Sequence, residues 1–375
     1  MPRTQSPKKS SADKIKVGQS FVNQSDLNGL RWAWKQKHLV LFLGAGVSIP
    51  YGIPSWKNLV LELLFEQVEH TRRLGNIWPH YRRALASWMT DYFDYSPLVL
   101  ARMVERDSRK RAKKKGAAEA SDGEQLFLEK LRNQLYAQCK PPRNKRTTLQ
   151  AVAELIKRSK GNIRCVVSFN FDGLLEEELE KLQIPTVSIV DGKRQQTGYF
   201  HIIHPHGFVP RQGSVDRKRL VFTEDDYHKL TETVFHWGLS EIVSELRHST
   251  VLFIGLSMSD PSLRRLLDAT HYTGEIPPHW QVQMRHQVHD HEQAAAKTDI
   301  ANRARQWGEI LGYDEQKDPP ELADALNAVL RQADTYDRAL FETMGVKTIW
   351  LESFDDLPKL LAKIPRAPQK SHSRR

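Results

Sequence analysis

Apolar residues gather along this chain in short, nearly unbroken runs: Leu39–Leu43, Cys165–Val167, Val187–Val190, Val251–Ile254 and Thr348–Leu351. Runs of this kind, without polar alternation, are what parallel strands look like when both faces of the sheet are covered. Between them the pattern changes period. Trp56, Leu59, Val60, Leu63 and Leu64 form one stripe at helical spacing, and Phe235, Leu239, Ile242, Val243 and Leu246 form another. Strands alternating with helices predict an α/β fold, a doubly wound, Rossmann-like parallel sheet.

One region departs from the alternation. From Trp78 to Ser159 the pattern is helical, interrupted by loops, with no strand. It predicts a helical insertion, about 75–160, within an α/β domain spanning 17–365. Ser108 to Gly123, rich in Lys, Ala, Ser, Gly and Glu, reads as a flexible loop, and Lys140-Pro141-Pro142-Arg143 as a break. Residues 1–16 and 366–375 read as disordered basic tails.

The chain has 375 residues and a formal charge of +11. That charge is local: residues 1–16 carry +4, residues 366–375 carry +4, and residues 102–115 carry +6, leaving the remainder at −3. Contact with nucleic acid is therefore expected only through the tails and the 102–115 segment. The longest apolar stretch, Leu39 to Val47, has nine residues, against the ~20 that a membrane helix needs. No apolar core follows the basic N-terminus, so no secretory signal is read there. Two cysteines, Cys139 and Cys165, cannot supply a disulfide framework or a four-cysteine zinc site. A soluble, cytoplasmic protein is expected.

Four motifs carry candidate chemistry. Gly44-Ala45-Gly46-Val47-Ser48 follows the first apolar run, and Gly52-Ile53-Pro54-Ser55-Trp56 comes shortly after it. Glycines at a strand-to-helix turn let backbone amides approach a pyrophosphate. The dehydrogenase fingerprint is not met, since Ile49 stands where its third glycine would be. Ser168-Phe169-Asn170-Phe171-Asp172-Gly173 follows the second run; Asn170 is suited to hold a water or a ribose hydroxyl. Asp172 is equally suited to capping the helix that begins at Leu174. In His201-Ile202-Ile203-His204-Pro205-His206-Gly207, a neutral imidazole after an extended segment can take up a proton near pH 7. No cysteine or carboxylate pattern accompanies these histidines, so no metal site is expected, and His286, His289 and His291 read as a solvated face. In Phe253-Ile254-Gly255-Leu256-Ser257-Met258-Ser259-Asp260-Pro261, Gly255 and Ser257 are the expected ligand contacts. Asp260-Pro261 reads as an ordinary helix start.

In order and spacing these motifs resemble the sirtuin-like NAD-binding family, over about Leu30 to Lys363. The likeness is nearest to bacterial anti-phage defence members, through Gly52-Ile53-Pro54-Ser55-Trp56, Asn170-Phe171-Asp172-Gly173-Leu174-Leu175-Glu176 and Phe253 to Leu263. Deacetylase-type sirtuins carry two Cys-x-x-Cys pairs in a zinc ribbon after the His-Gly motif, whereas Phe208 to Leu252 contains no cysteine. The resemblance therefore implies an NAD glycohydrolase, with NAD as substrate and no cofactor or metal required. It implies catalytic roles for Asn170, His206 and Asp172. Gly44, Ala45, Gly46, Ser48, Gly52, Pro54, Trp56, Gly207, Gly255 and Ser257 would form the NAD-binding shell. It further implies a homo-oligomer and a separate activator or sensor such as a HerA-type ATPase. The alternatives are an NAD- or ADP-ribose-binding regulatory module and a sirtuin-type deacylase or ADP-ribosyltransferase.

Overall fold

The computed structural model describes residues 14–72, 81, 84–85, 88, 92, 95–114, 120–142, 145–193, 197–232, 236–258, 260–272, 276–286, 298–303 and 322–365. Its centre is a seven-stranded sheet in which every pairing is parallel. In chain order its strands are β3 (Leu39–Leu43), β4 (Ile163–Ser168), β5 (Thr186–Ile189), β6 (Phe200–Ile203), β7 (Thr250–Ile254), β8 (His279–Met284) and β9 (Val346–Leu351). In space the order is β5-β6-β4-β3-β7-β8-β9. The chain thus winds to one side of β3 first and then, from β7 onward, to the other. The reversal lies between β3 and β7, and in open α/β sheets the crevice beyond the carboxyl ends at such a reversal is where ligands bind.

Alternate residues of each strand point to opposite faces, and the core divides accordingly. Leu39, Leu41 and Leu43 join Val166, Leu252 and Ile254 in one cluster, with α2 (Trp56–Arg72) and α5 (Thr148–Ser159) packed over it. Val40 and Phe42 join Val167, Val251 and Phe253 in the other, beneath α8 (Trp237–His248), α9 (Pro261–Tyr272) and α10 (Leu322–Thr343). Helices on both faces explain why β3 and β7 carry no polar alternation. At ~25 cal/mol per Å² of apolar surface removed from water, these two layers supply the main stabilisation.

Between Trp56 and β4 the described residues form helices joined by turns and no strand, with α3 (Pro97–Lys114) and α4 (Ala120–Tyr136) packed against α2 and each other. Ser108–Lys114 and Ala120–Gly123 are helix rather than the expected loop, because Ser108 is buried and Gly123 lies against Arg109. Three of the basic residues in the 102–115 segment are occupied by carboxylates: Arg102 by Glu224 and Asp225, Arg109 by Glu105 and Glu124, and Arg111 by Asp107.

Two strands were not legible as apolar runs. β6 contains His201, and β8 contains His279, Gln281 and Gln283. A hairpin of β1 (Lys14–Val17) and β2 (Ser20–Asn23) also takes Lys14, Ile15 and Lys16 out of the expected N-terminal tail. It is anchored by Asp356, whose carboxylate accepts from Gln19 N, Ser20 N and Ser20 Oγ. Residues 1–13 and 366–375 lie outside the described residues, as do His289 and His291.

Candidate active site

The registers Leu43↔Ile254 and Leu43↔Ser168 bring β3, β4 and β7 to an end side by side. The loops that follow are joined backbone to backbone. Gly44 N donates to Ile254 O at 3.0 Å and Gly46 N to Gly255 O at 2.9 Å. There is no room for a side chain here: a Cβ on Gly46 would lie 2.8 Å from Gly255 Cα, and one on Gly255, whose φ is +66°, 2.8 Å from Val47 N. The amides of Gly44, Gly46, Val47 and Ser48 are all satisfied by protein carbonyls. Ala45 N, at the first position of the 3-10 turn Ala45–Val47, has no intrahelical acceptor. Of the amides from Gly44 to Ser48 it is the one without a backbone acceptor among the described residues.

Beneath that turn lies a buried polar chain. Asn170 Nδ2 donates to Gly44 O and to Ser48 Oγ, each at 3.1 Å. The Ser48 hydroxyl in turn donates to Asp172 Oδ1 at 3.1 Å, which also accepts from Leu174 N at 3.2 Å. Asp172 thus both caps the start of α6 (Leu174–Lys181) and belongs to the site. Burial pushes its pKa up to about 6, opposed by the hydrogen bonds from Ser48 and Leu174. A carboxyl poised near neutrality in a buried cluster is a physical marker of a functional site.

The histidines of the third motif separate. His204 turns under the loop, with Nδ1 3.2 Å from Asn170 O and Nε2 2.8 Å from Glu176 Oε1. Glu176 is held ionised, below the usual carboxylate range, because the charge and hydrogen bond of His204 outweigh burial. His206 instead lies with its ring edge-on to Phe169 at 5.2 Å and to Tyr227 of α7 (Glu224–Glu232) at 5.7 Å. Its Nε2 is 3.6 Å from Asp260 Oδ2. Burial lowers the His206 pKa, the Asp260 carboxylate opposes that, and His236 adds to it. The imidazole is therefore neutral at neutral pH and able to accept a proton. Among the described residues, no group of three His, Cys, Asp or Glu is arranged to hold a metal ion.

Residues 164–304 match the family model described as "SIR2-like domain". Over that segment the chain is similar to SIR2-like domains. The match takes in the Asn170, His206 and Gly255 motifs. Among solved structures it is similar to one described as "Structural Basis for the Mechanism and Regulation of Sir2 Enzymes", at 14% identity. That similarity covers 91% of this chain and 96% of the other, with a TM-score of 0.37, too low to bear on function. No curated protein matches the chain.

Of the expected sirtuin-like site residues, Gly44, Ala45, Gly46, Ser48, Asn170, Asp172 and Gly255 form one continuous set, and His206 reaches it through Phe169. Ser48 is fully buried; it sets Asn170 and Asp172 rather than facing a ligand. Gly52 (φ +83°) fits beneath Gln138 O, and Gly207 (φ +91°) fits against Arg219 O, so both glycines shape loops. Trp56 packs edge-on to Phe222, which also meets Phe171. Pro54 is half-buried and Ser257 exposed at the rim. Two residues escaped the sequence reading. Asp260 does cap α9, through Oδ1 to Ser262 N and Leu263 N, but its other oxygen faces His206. Tyr227 carried no sequence signal, because nothing in a helix of mixed charge marks one tyrosine.

Proposed function

We propose that the chain is an NAD glycohydrolase. The observation that carries this reading is the placement of Asn170, Asp172 and His206 around the glycine turn at the sheet's reversal point. There the Asn170 amide is fixed by two acceptors, while burial pushes the Asp172 carboxyl up and the His206 imidazole down.

The chemistry asks little else. Water adds to the anomeric carbon of the nicotinamide ribose while the bond to the pyridinium nitrogen breaks. The electron pair of that bond leaves with nicotinamide, which departs neutral. The water proton passes to a base, and the products are nicotinamide, ADP-ribose and a proton. Ala45 N would meet the diphosphate, Asn170 would orient water or the ribose hydroxyls, and His206 would receive the proton. A positioned general base is worth ~10²–10⁴-fold. Asp172 is tied to the Asn170 amide through Ser48, so its protonation bears on how that amide is held.

The resemblance to defence proteins supports a further reading: a regulated, NAD-depleting effector of bacterial anti-phage defence. It would work as a homo-oligomer, restrained until a separate activator such as a HerA-type ATPase engages it. The test is release of nicotinamide and ADP-ribose from NAD, by the chain alone and with a HerA-type ATPase added. Wild-type release that survives both Asn170→Ala and His206→Ala would overturn the site.

A further inference from the structure

Asp260 has two carboxylate oxygens with different duties. Oδ1 is committed to the first turn of α9, accepting from Ser262 N at 2.8 Å and Leu263 N at 3.3 Å. Oδ2 points the other way and sits 3.6 Å from His206 Nε2. The Tyr227 hydroxyl hydrogen-bonds the same carboxylate, and the Tyr227 ring lies edge-on to His206. Tyr227 is buried and stays protonated, so that toward the Asp260 carboxylate it is the donor. Its own position is fixed one residue away, where Asp226 accepts from Arg217 Nη2 at 2.7 Å and from Thr223 N at 2.9 Å. The backbone of His206 is fixed too, since Val221 N donates to His206 O at 2.9 Å. Three separate segments therefore converge on one imidazole. The helix cap alone would need only one of the two Asp260 oxygens.

Resting on the hydrolase reading above, we propose that Asp260, held by Tyr227, is the positioning residue of His206: it orients the ring and stabilises the imidazolium formed when His206 takes up the water proton. His206 Nδ1, which has no partner among the described residues, is then the nitrogen left to meet the substrate side. Among the described residues, the charged and titratable groups facing His206 are Asp260 just before α9, Tyr227 from α7 and His236 just before α8; the Phe169 ring lies edge-on to it. Among them Asp260 supplies the negative charge, so its removal has a definite direction. The imidazolium loses its counter-charge and His206 becomes harder to protonate.

Asp260→Asn separates the two duties, because asparagine is as good an N-cap as aspartate but carries no charge; Asp260→Ser is a second capping variant should the first not fold. The histidine ring resonances of the full chain are titrated by NMR, with His206 assigned by its loss in His206→Gln. The expected result is a His206 pKa lower by ~1 unit in Asp260→Asn than in the wild type. In steady-state NAD cleavage the same variant lowers kcat by ~10–100-fold, leaves KM within about twofold, and moves the acid limb of the kcat profile to lower pH. A folded Asp260→Asn protein in which His206 titrates as in the wild type overturns the proposal. A wild type that never releases nicotinamide overturns the hydrolase reading instead, and the titration still decides whether Asp260 sets His206.

Discussion

The amide of Gly46 donates to the carbonyl of Gly255 at 2.9 Å, joining the loops that leave β3 and β7 directly, backbone to backbone. This contact lies at the point where the sheet reverses its winding. The two glycines are thus required first by the close approach itself, and the turn that presents Ala45 N follows from it. A methyl at position 255 meets Val47 N at 2.8 Å and must adopt φ +66°. Gly255→Ala is expected to cost ~1–3 kcal/mol and to abolish NAD binding, read by thermal or denaturant unfolding and by calorimetric titration with NAD. Retention of wild-type stability would mean that the loops can part without penalty.

Asn170 is satisfied on both sides by groups that no water replaces easily. Removing its amide in Asn170→Ala leaves Gly44 O and Ser48 Oγ without that donor, in a buried place where an unmade hydrogen bond costs ~1–3 kcal/mol. The variant is expected to lose stability by that amount and activity by at least ~10². Ser48→Ala, which removes the link to both Asn170 and Asp172, is expected to lower stability comparably and activity by less. Denaturant midpoints and nicotinamide release measure the two effects separately.

Asp172 gives a pH signature opposite to that of an ion-paired carboxylate. Its folded pKa of about 6 is above its ordinary value because of burial, so between pH 4 and 6 the folded state binds more protons than the unfolded one. Its contribution to stability is therefore greatest below pH 4 and is lost as pH rises through 6. Asp172→Asn keeps an acceptor for Ser48 and Leu174 but removes the buried charge. It is expected to raise the unfolding midpoint at pH 7 relative to wild type and to leave it nearly unchanged at pH 4. Equal effects at both pH values would contradict the assignment.

Arg217 links the helical region to the site. Its guanidinium holds Glu105 of α3 through Nε at 3.1 Å and Nη2 at 2.6 Å, and Asp226 at 2.7 Å, with all three side chains largely buried. Arg217→Ala strands two carboxylates and is expected to destabilise the fold by ~3–5 kcal/mol, measured by chemical unfolding. Through Asp226 it should also loosen Tyr227. Arg217→Lys, which keeps the charge but not the fork, is expected to recover only part of the loss.

The sheet was readable where burial on both faces left its strands purely apolar, as in Leu39–Leu43 and Val251–Ile254. It was unreadable where a strand carries polar side chains on a covered face, as in β8, whose Gln281 bonds Thr348 of β9 through its side chain at 2.9 Å. The polar members of the site were legible because each follows a strand and precedes a helix. Asp260 was seen correctly as a cap, yet a capping pattern uses only one oxygen and says nothing of where the other points. Tyr227 meets His206 only through the fold: α8 and β7 separate it from Asp260, and no local pattern encodes that meeting. Of the loop expected over Ser108–Gly123, Ser108–Lys114 and Ala120–Gly123 are helix for a related reason, since the lysines and glycine suggest solvent while Ser108 is buried against Gln67; residues 115–119 lie outside the described residues.

The central claim is hydrolysis of NAD at the site built from Asn170 and His206. Its most direct test is chromatography of NAD incubated with the full chain, with and without the activator proposed above, in the presence and absence of an acetyl-lysine peptide. Nicotinamide and ADP-ribose are expected in equal amounts, independent of the peptide, and lost in Asn170→Ala and His206→Ala. Turnover that requires the peptide and yields acetylated ADP-ribose, or saturable NAD binding with no nicotinamide released under any of these conditions, would contradict it.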